Sequence, residues 1–321
     1  MDRDGVIGIV GAGVAGLACA SALVQAGRRV RVFEKSRGLG GRLATRRSEA
    51  GSFDHGAPGF SCTDPAFTAE VASAERAGQV AAWRAGSTRL LSGTGAEVFA
   101  GQPNASAFAH HIVTPLPPGT VDHGVEITHL VMRAGGWTIV GPDTPETALS
   151  AVVLAIPAPQ AARLLSPAAP RTAAEMLEGV KMAPRLTAMF AVETPLSIED
   201  LDAAVVAKVI RQNDLPGRAD TSERWVIHAT EMWSEAHIER EKSWIADRLI
   251  EACLGGAGPT PGEIYRAGHR WRYALTTRSL GRACLWDGEL RLGLCGDWCR
   301  GDTVEDAWRS GRAAAAALIA A

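Results

Sequence analysis

The chain has 321 residues, 46% of them hydrophobic, and a formal net charge of −2. That length suggests about two domains and that composition can bury a sizeable core, while the near-neutral charge argues against nucleic acid or an anionic membrane surface as a partner. No uncharged apolar run is long enough to span a bilayer, and the six cysteines show neither Cys-x-x-Cys nor the spacing of a secreted disulfide framework.

The chain begins Met-Asp-Arg-Asp and enters its first strand directly, so a cytoplasmic protein without a signal peptide is expected. Residues 6–10 are a short apolar run. Gly11-Ala12-Gly13-Val14-Ala15-Gly16 follows and fits G-x-G-x-x-G. Leu17, Ala20 and Leu23 continue as one helix face, Gly27 ends the helix, and residues 30–33 resume as a strand. Glu34 closes the unit 18 residues past Gly16. Gly11 permits a sharp turn, Gly13 lets the backbone approach a pyrophosphate, and Gly16 lets helix and strand pack closely. The first-turn N–H groups of Val14, Ala15 and Gly16, with the helix dipole, favour phosphate. Glu34 is placed to accept hydrogen bonds from ribose hydroxyls. The strand-to-helix context predicts one bound dinucleotide. Neither Gly93-Thr94-Gly95 nor residues 255–258 repeat that context.

Beyond Glu34 the chain is basic and glycine-rich, with Lys35, Arg37, Gly40, Gly41 and Arg42. Gly41 is placed to pass beneath a pyrophosphate, and Arg42 to donate a charge-assisted hydrogen bond to it. Asp64 followed by Pro65 predicts a helix start that runs to about Gly78. Residues 80–83 and 89–91 read as strands with Gly86 between them. Asn104 reads as the cap of a short helix to about Val113. Residues 125–132 and 137–140 read as strands joined at Gly135-Gly136. Residues 152–156 are a continuous apolar run ended by Pro157, as a buried strand requires.

A different texture begins near Ser166. Residues 185–192, 205–210, 225–229 and 266–274 are strand candidates, and 239–254 an amphipathic helix with Trp244, Leu249 and Ile250 on its apolar face. Residues 292–295 form a buried strand, Gly296-Asp297 a turn, and 304–320 a final helix. This return to strand, turn and helix indicates a nucleotide domain built from separated pieces, with a substrate domain inserted. The expected division assigns 1–70, 101–165 and 262–321 to the first, and 71–100 and 166–261 to the second.

The choice between NAD and FAD turns on the late segments. A carboxylate at Asp297 can fix ribitol hydroxyls, which FAD has and NAD lacks. The positive end of the last helix, at Val304, can face the flavin edge where negative charge collects on reduction. Glu305 lies in the same turn, either at the flavin or, with Asp306, as a plain complement to the dipole. Cys295 and Cys299 read as buried thiols and not as a redox pair.

These residues carry a resemblance. Residues 6–45, with Arg37-Gly-Leu-Gly-Gly-Arg-Leu-Ala-Thr45, and the segment from Cys295 to Gly311 are similar to the FAD-dependent amine-oxidase superfamily. Phe53-Asp54-His55-Gly56-Ala57, Val153 to Gln160, Gly179-Val180-Lys181-Met182, Trp225 to Thr230 and His269 to Tyr273 narrow the resemblance to bacterial renalases. It implies an α/β fold: a Rossmann-type FAD-binding domain with an inserted, mostly antiparallel β-sheet substrate domain over the isoalloxazine. It implies non-covalent FAD, with Gly56, Ala57, Pro58, Gly59, Val125 and Gly296 added to the cofactor contacts above. It also implies oxidation of isomeric (2- or 6-) dihydronicotinamide dinucleotides, with hydride passing to flavin N5 and O2 leaving as H2O2.

The family's active-site positions map to His228 and Trp271. His228 would position or polarise the substrate ring and Trp271 would wall its slot; the plain alternatives are a satisfied strand histidine and a core tryptophan. His269 and Tyr273 alternate with Trp271 on one strand face. Lys181 matches a family lysine, or is an exposed strand-edge residue. These three complete the expected substrate pocket. Where renalases usually carry Gln-Tyr this chain has Pro58-Gly59, a change expected to enlarge the pocket and one that leaves the substrate open. Rival readings are an amine oxidase or desaturase acting on another small metabolite, and a flavin-binding protein without turnover. The expected partners are a small-molecule substrate (a dihydronicotinamide dinucleotide or an amine) and O2, with no nucleic acid, membrane or metal, in a monomer or homodimer.

Overall fold

Ile7-Gly8-Ile9-Val10 forms β1 (Ile7–Val10), buried along its whole length at the centre of a six-stranded sheet. The computed structural model describes residues 5–83, 89–90, 97–133, 136–142, 144–198, 200–218, 222–256, 260 and 262–321. The chain continues through α1 (Val14–Gln25), β2 (Val30–Glu34), the hairpin of β3 (Thr45–Ser48) and β4 (Gly51–Asp54), α2 (Pro65–Arg76), β5 (Val80–Trp83), β6 (Arg89–Leu90) and β7 (Val98–Gly101). Next come α3 (Ala107–Val113), β8 (Val121–His123), β9 (His129–Arg133), β10 (Gly136–Gly141), β11 (Thr144–Leu149), β12 (Ala151–Leu154), α4 (Ala158–Leu165) and α5 (Pro170–Gly179). The second half carries β13 (Lys181–Val192), β14 (Val206–Arg211), β15 (Glu223–Ala229), α6 (Glu231–His237), α7 (Lys242–Leu254), β16 (Glu263–Arg278), β17 (Leu285–Asp287), β18 (Leu292–Leu294) and α8 (Val304–Ala320).

Local chemistry sets the helix ends. The Asp64 carboxylate accepts from the N–H groups of Ala66 at 3.0 Å and Phe67 at 3.1 Å, which starts α2 where the Asp-Pro pair predicts. At α8, Thr303 and Asp306 form a reciprocal capping box ahead of an alanine-rich run of high helix propensity. Ser106 stands at the N-cap of α3, and Asn104 instead accepts from the Ser106 hydroxyl. The helix expected over 239–254 is α7, starting at Lys242, and a further short helix, α6, precedes it with Thr230 as its cap; Trp233 and Trp244 stack across the turn between the two with centroids 5.8 Å apart. Gly86, Leu91, Gly93, Gly95, Gly135 and Gly258 lie outside the described residues.

The first sheet runs β17-β18-β12-β1-β2-β8, with β1 parallel to both β12 and β2, and only β17 antiparallel. Its two faces bury separate cores. Leu17, Cys19 and Leu23 of α1 join Ala314 and Leu318 of α8 on one side, and Ala161 and Leu165 of α4 join Ala173 and Met176 of α5 on the other. Each leucine fully withdrawn from water contributes about 2 kcal/mol before entropy is counted. The second sheet runs β16-β13-β15-β14-β6 and is antiparallel throughout. One of its faces packs on α7 through Leu186, Phe190 and Ile227, and the other holds Met189 and Val226 toward Phe53 of the β4 hairpin. The chain is thus a Rossmann-like domain with a second, antiparallel sheet domain.

Two expected boundaries move. β16 pairs with β13 from Lys181↔Arg278 to Val192↔Glu263, so it belongs to the second sheet and the return to the first comes only at β17. A strand of that length must satisfy its ladder against a neighbour, and β13 is the neighbour. Residues 166–179 stay with the first sheet, because the apolar stripe of α5 is buried beside α4. Among the described residues no helix is long and apolar enough to cross a membrane. Cys295 and Cys299 are buried free thiols, and burial pushes Cys299 up to about 12.

Candidate active site

The head of α1 is a ready anion site. Its N-cap is Gly13, no side chain caps it, and no acidic residue occupies the first turn. A Cβ on Gly13 would meet nothing within 4 Å, whereas one on Gly16 would collide with the Gly11 carbonyl. One glycine therefore serves packing and the other leaves space. Gly40 and Gly41 close the far side: Gly40 N–H donates to Ala12 O at 2.9 Å, and Gly13 and Gly40 form a parallel bridge. These glycine backbones touch, and the open space that Gly13 leaves at the head of α1 suits a pyrophosphate.

Glu34 is buried at the end of β2. Its carboxylate accepts from Ala12 N–H at 2.8 Å and Ser36 N–H at 2.7 Å, and each oxygen keeps a lone pair for a ribose hydroxyl. Val125 lies against the same strand end, its N–H donating to Glu34 O at 2.9 Å. Lys35 is exposed. An open helix head, two facing glycine turns and a ribose-oriented carboxylate fit the adenosine and pyrophosphate half of FAD.

Five of the expected site residues stand in surroundings that the motifs did not announce. Arg42, expected to donate to phosphate, instead forms a two-pronged pair with buried Asp297, one contact at 2.8 Å, and donates to Ala274 O at 3.0 Å. Asp297 also accepts from the Thr276 hydroxyl at 3.1 Å, so the carboxylate assigned to ribitol ties β16 to the turn after β18. The opposite charge makes this pairing stronger than a neutral hydrogen bond. Glu305, assigned to the flavin edge, accepts from Thr63 N–H at 2.6 Å, the Thr63 hydroxyl at 2.8 Å and Asp64 N–H at 3.0 Å; it anchors the approach to α2. Val304 stands at the start of α8 as expected and is half-buried. Lys181 is exposed at the outer end of β13, opposite Arg278, and does not reach the histidine cluster described below. Last, the space beside Gly59 is filled. A Cβ there would fall within 3.0 Å of Phe99 O, the Trp83 ring and Val98, so the missing tyrosine opens no cavity at that point.

The hairpin carries His55 to the second sheet. Ala57 N–H donates to Arg42 O at 2.9 Å, and Trp271 Nε1–H donates to His55 O at 3.0 Å. His55 and Trp271 stack with centroids 5.1 Å apart, and His269 meets both, at 4.6 Å and 4.4 Å. Register aligns the rest: Thr187 lies opposite both His269 and His228, His228 opposite Lys208, and Arg185 opposite Trp271. Since cross-strand partners share a face, these residues line the side of the sheet turned to the hairpin, while Tyr273, half-buried, falls in the irregular stretch of β16 between Trp271 and Leu275. Among the described residues His55 Nδ1, Thr187 Oγ1, His228 Nε2 and His269 Nδ1 are buried without hydrogen-bond partners. The structure thus brings His228, Trp271 and His269 together beside Gly56 and Ala57. Sequence reading missed His55, Thr187, Arg185 and Lys208. The available signal was polar residues at alternate positions of otherwise apolar strands.

Burial lowers all three histidines: His55 to about 4, and His228 and His269 to about 3, with Arg185 and Lys208 adding to the effect on His228. They are neutral near pH 7. An unfolded histidine titrates near 6.5. Between that value and the folded one the unfolded chain binds more protons, so stability falls as pH falls through this window and levels off below it. Removing one such group in His269→Gln is expected to lessen the stability lost between pH 7 and pH 5 by about 2 kcal/mol. Urea unfolding at the two pH values measures this; an undiminished loss in the variant refutes it.

A model for NAD(P)-binding Rossmann-like domains matches residues 9–72, and a model for flavin containing amine oxidoreductases matches residues 81–319. Among solved structures, wild-type putrescine oxidase bound to putrescine aligns with a TM-score of 0.70 at 15% identity, covering 99% of each chain. Cyclohexylamine oxidase from Brevibacterium oxydans IH-35A aligns with a TM-score of 0.74 at 14% identity, again over 99% of each. At these identities the likeness is one of fold.

Proposed function

Because the chain belongs to the flavin-containing amine oxidoreductases and is an FAD-dependent oxidoreductase, we propose that it is of renalase type and oxidises isomeric (2- or 6-) dihydronicotinamide dinucleotides to NAD(P)+. When bound, FAD would supply a two-electron acceptor for hydride, with O2 as the final oxidant and H2O2 as its product. The observation that carries this reading is the neutral, weakly basic histidine cluster against Trp271. An alkylammonium substrate must lose a proton before it can be oxidised, and groups titrating near 3 are poor bases for that. A dihydronicotinamide loses hydride alone and leaves as an aromatic cation, so the chain need supply only position and dryness.

Trp271 and His55 provide a flat wall for the ring. His228, whose Nε2 lacks a partner, is placed to donate to or accept from a carboxamide. Arg42 and Asp297 brace the wall through Ala274 and Thr276 of the same strand. The amine oxidases among the similar folds favour a second reading, oxidation of a small amine.

Anaerobic stopped-flow mixing separates the two. Rapid flavin bleaching by isomeric dihydronicotinamides supports the first, bleaching by amines alone supports the second, and bleaching by neither overturns both. His228→Ala is expected to slow reduction by roughly ten- to a hundredfold, about 1.4 to 2.7 kcal/mol of barrier, with flavin content unchanged. Equal reduction rates in variant and parent remove His228 from the site.

A further inference from the structure

On the same face of the second sheet, beyond Trp271 and the histidines, stand two cations without obvious employment. Arg185 lies opposite Trp271 on β13, and Lys208 lies opposite His228 on β14. Alternation along β13 fixes their direction: Leu186, Ala188 and Phe190 face the α7 core, so Arg185 and Thr187 face the site. Both cations are half-buried, and among the described residues neither forms an ion pair. Arg185 Nε is itself buried without a partner. So are its neighbours on this face, the fully buried Thr187 at Oγ1 and His228, 7% exposed, at Nε2.

The surroundings do not neutralise them. Burial lowers both, and Arg185 lowers Lys208 further. The carboxylates that act on them are Glu231 for Arg185 and Asp302 for Lys208, and both are exposed. Cations withdrawn from water are tolerated when an anion completes them. An alkylammonium placed here would meet like charge; an oxyanion would meet two cations and unpartnered donors at Thr187 and His228.

We propose that Arg185 and Lys208 anchor an anionic oxygen group of the substrate, a phosphate or a carboxylate, and so hold its oxidisable ring against Trp271. Its assignment to the dinucleotide pyrophosphate rests on the renalase-type reading; the anchor itself does not. Arg185 on β13 and Lys208 on β14 flank β15 and its His228, so the two cations would approach one oxyanion from either side, as point contact from one lysine would not.

The test uses flavin-loaded enzyme and its Arg185→Gln/Lys208→Gln variant, with Arg185→Lys as a charge-retaining control and flavin content as the check on folding. In the first arm inorganic pyrophosphate is titrated and the flavin spectrum followed. Saturable perturbation that weakens by roughly tenfold or more in the double variant and recovers in Arg185→Lys/Lys208 enzyme supports the anchor. No binding to the parent, or equal binding to the double variant, overturns it.

In the second arm reductive kinetics compare an isomeric dihydronicotinamide dinucleotide with the corresponding riboside, which lacks phosphate, and an amino acid with the amine lacking its carboxylate. A preference for the phosphorylated member that collapses in the double variant assigns the anchor to phosphate, and collapse within the other pair assigns it to carboxylate. A preference that survives the double substitution refutes the anchor. Because pyrophosphate binding requires no turnover, a positive first arm with no reduction by dihydronicotinamides rejects the substrate reading and leaves the anchor standing.

Discussion

Gly13→Val is expected to give a folded protein that purifies almost free of flavin. Gly13 has φ −74° and ψ 178°, an extended conformation that valine favours, and its missing Cβ faces open space. The chain alone therefore tolerates the substitution. The side chain it introduces would stand in the open space at the uncapped head of α1, beside the N–H groups of the first turn. Keeping a pyrophosphate from that position removes several charge-assisted hydrogen bonds together, and a loss of about 3 kcal/mol already weakens binding more than a hundredfold. Gly16→Val makes the contrast. Its Cβ would strike the Gly11 carbonyl and lie 3.1 Å from Ala155 Cβ, so fold and flavin are lost together. The ratio of flavin to protein absorbance, set beside far-UV circular dichroism, measures both. Parental flavin content in Gly13→Val means the pyrophosphate lies elsewhere.

Asp54→Ala is expected to cost about 3 to 5 kcal/mol of stability, as breaking one side of a buried ion pair does. Asp54 is 1% exposed. Its carboxylate pairs with buried Arg218 and accepts from the Thr45 hydroxyl at 2.5 Å and Ala105 N–H at 3.0 Å, while its own N–H donates to Gln212 Oε1 at 2.7 Å. Arg218 in turn donates to Gly101 O at 2.6 Å. One carboxylate thus fastens the hairpin to both the 101–105 and 212–218 segments, one residue before His55. Removal would leave the guanidinium buried and uncompensated. Equilibrium unfolding in urea reads the cost, and a loss below about 1 kcal/mol would show that the hairpin is held by its apolar contacts alone.

What the sequence made legible was whatever local chemistry controls. The turn after β1, the acidic end of β2, the Asp64-Pro65 helix start and the whole of α8 follow from residues a few positions apart. The site was harder, because its geometry is set by strand register. Arg42 and Asp297 were each read as a ligand contact, yet they bond to one another across 255 residues. Nothing near either residue announces the other. Nothing in the strand candidates 185–192 and 205–210 singles out Arg185 or Lys208; pairing sets them opposite Trp271 and His228. Gly59 read as lost bulk, and the compensating bulk of Trp83 comes from a strand that only the folded chain brings alongside. The resemblance to renalases led to His228 and Trp271 and strand alternation led to His269, whereas Lys181 matched a family lysine and lies outside the cluster.

The strand order of the first sheet also dictates when a cofactor can be taken up. β1 and β2 are made first, but their sheet is completed by β12 and β18, and the core over α1 by α8, the last element of the chain. Contacts between the two chain ends are among the most distant in sequence that the fold contains, and such contacts form late and slowly. A nascent chain that has not released Leu292–Ala320 holds the glycine turn without the walls around it. Flavin loading is therefore expected to wait until β18 and α8 have joined the first strands, whose apolar edges must until then be kept from pairing elsewhere.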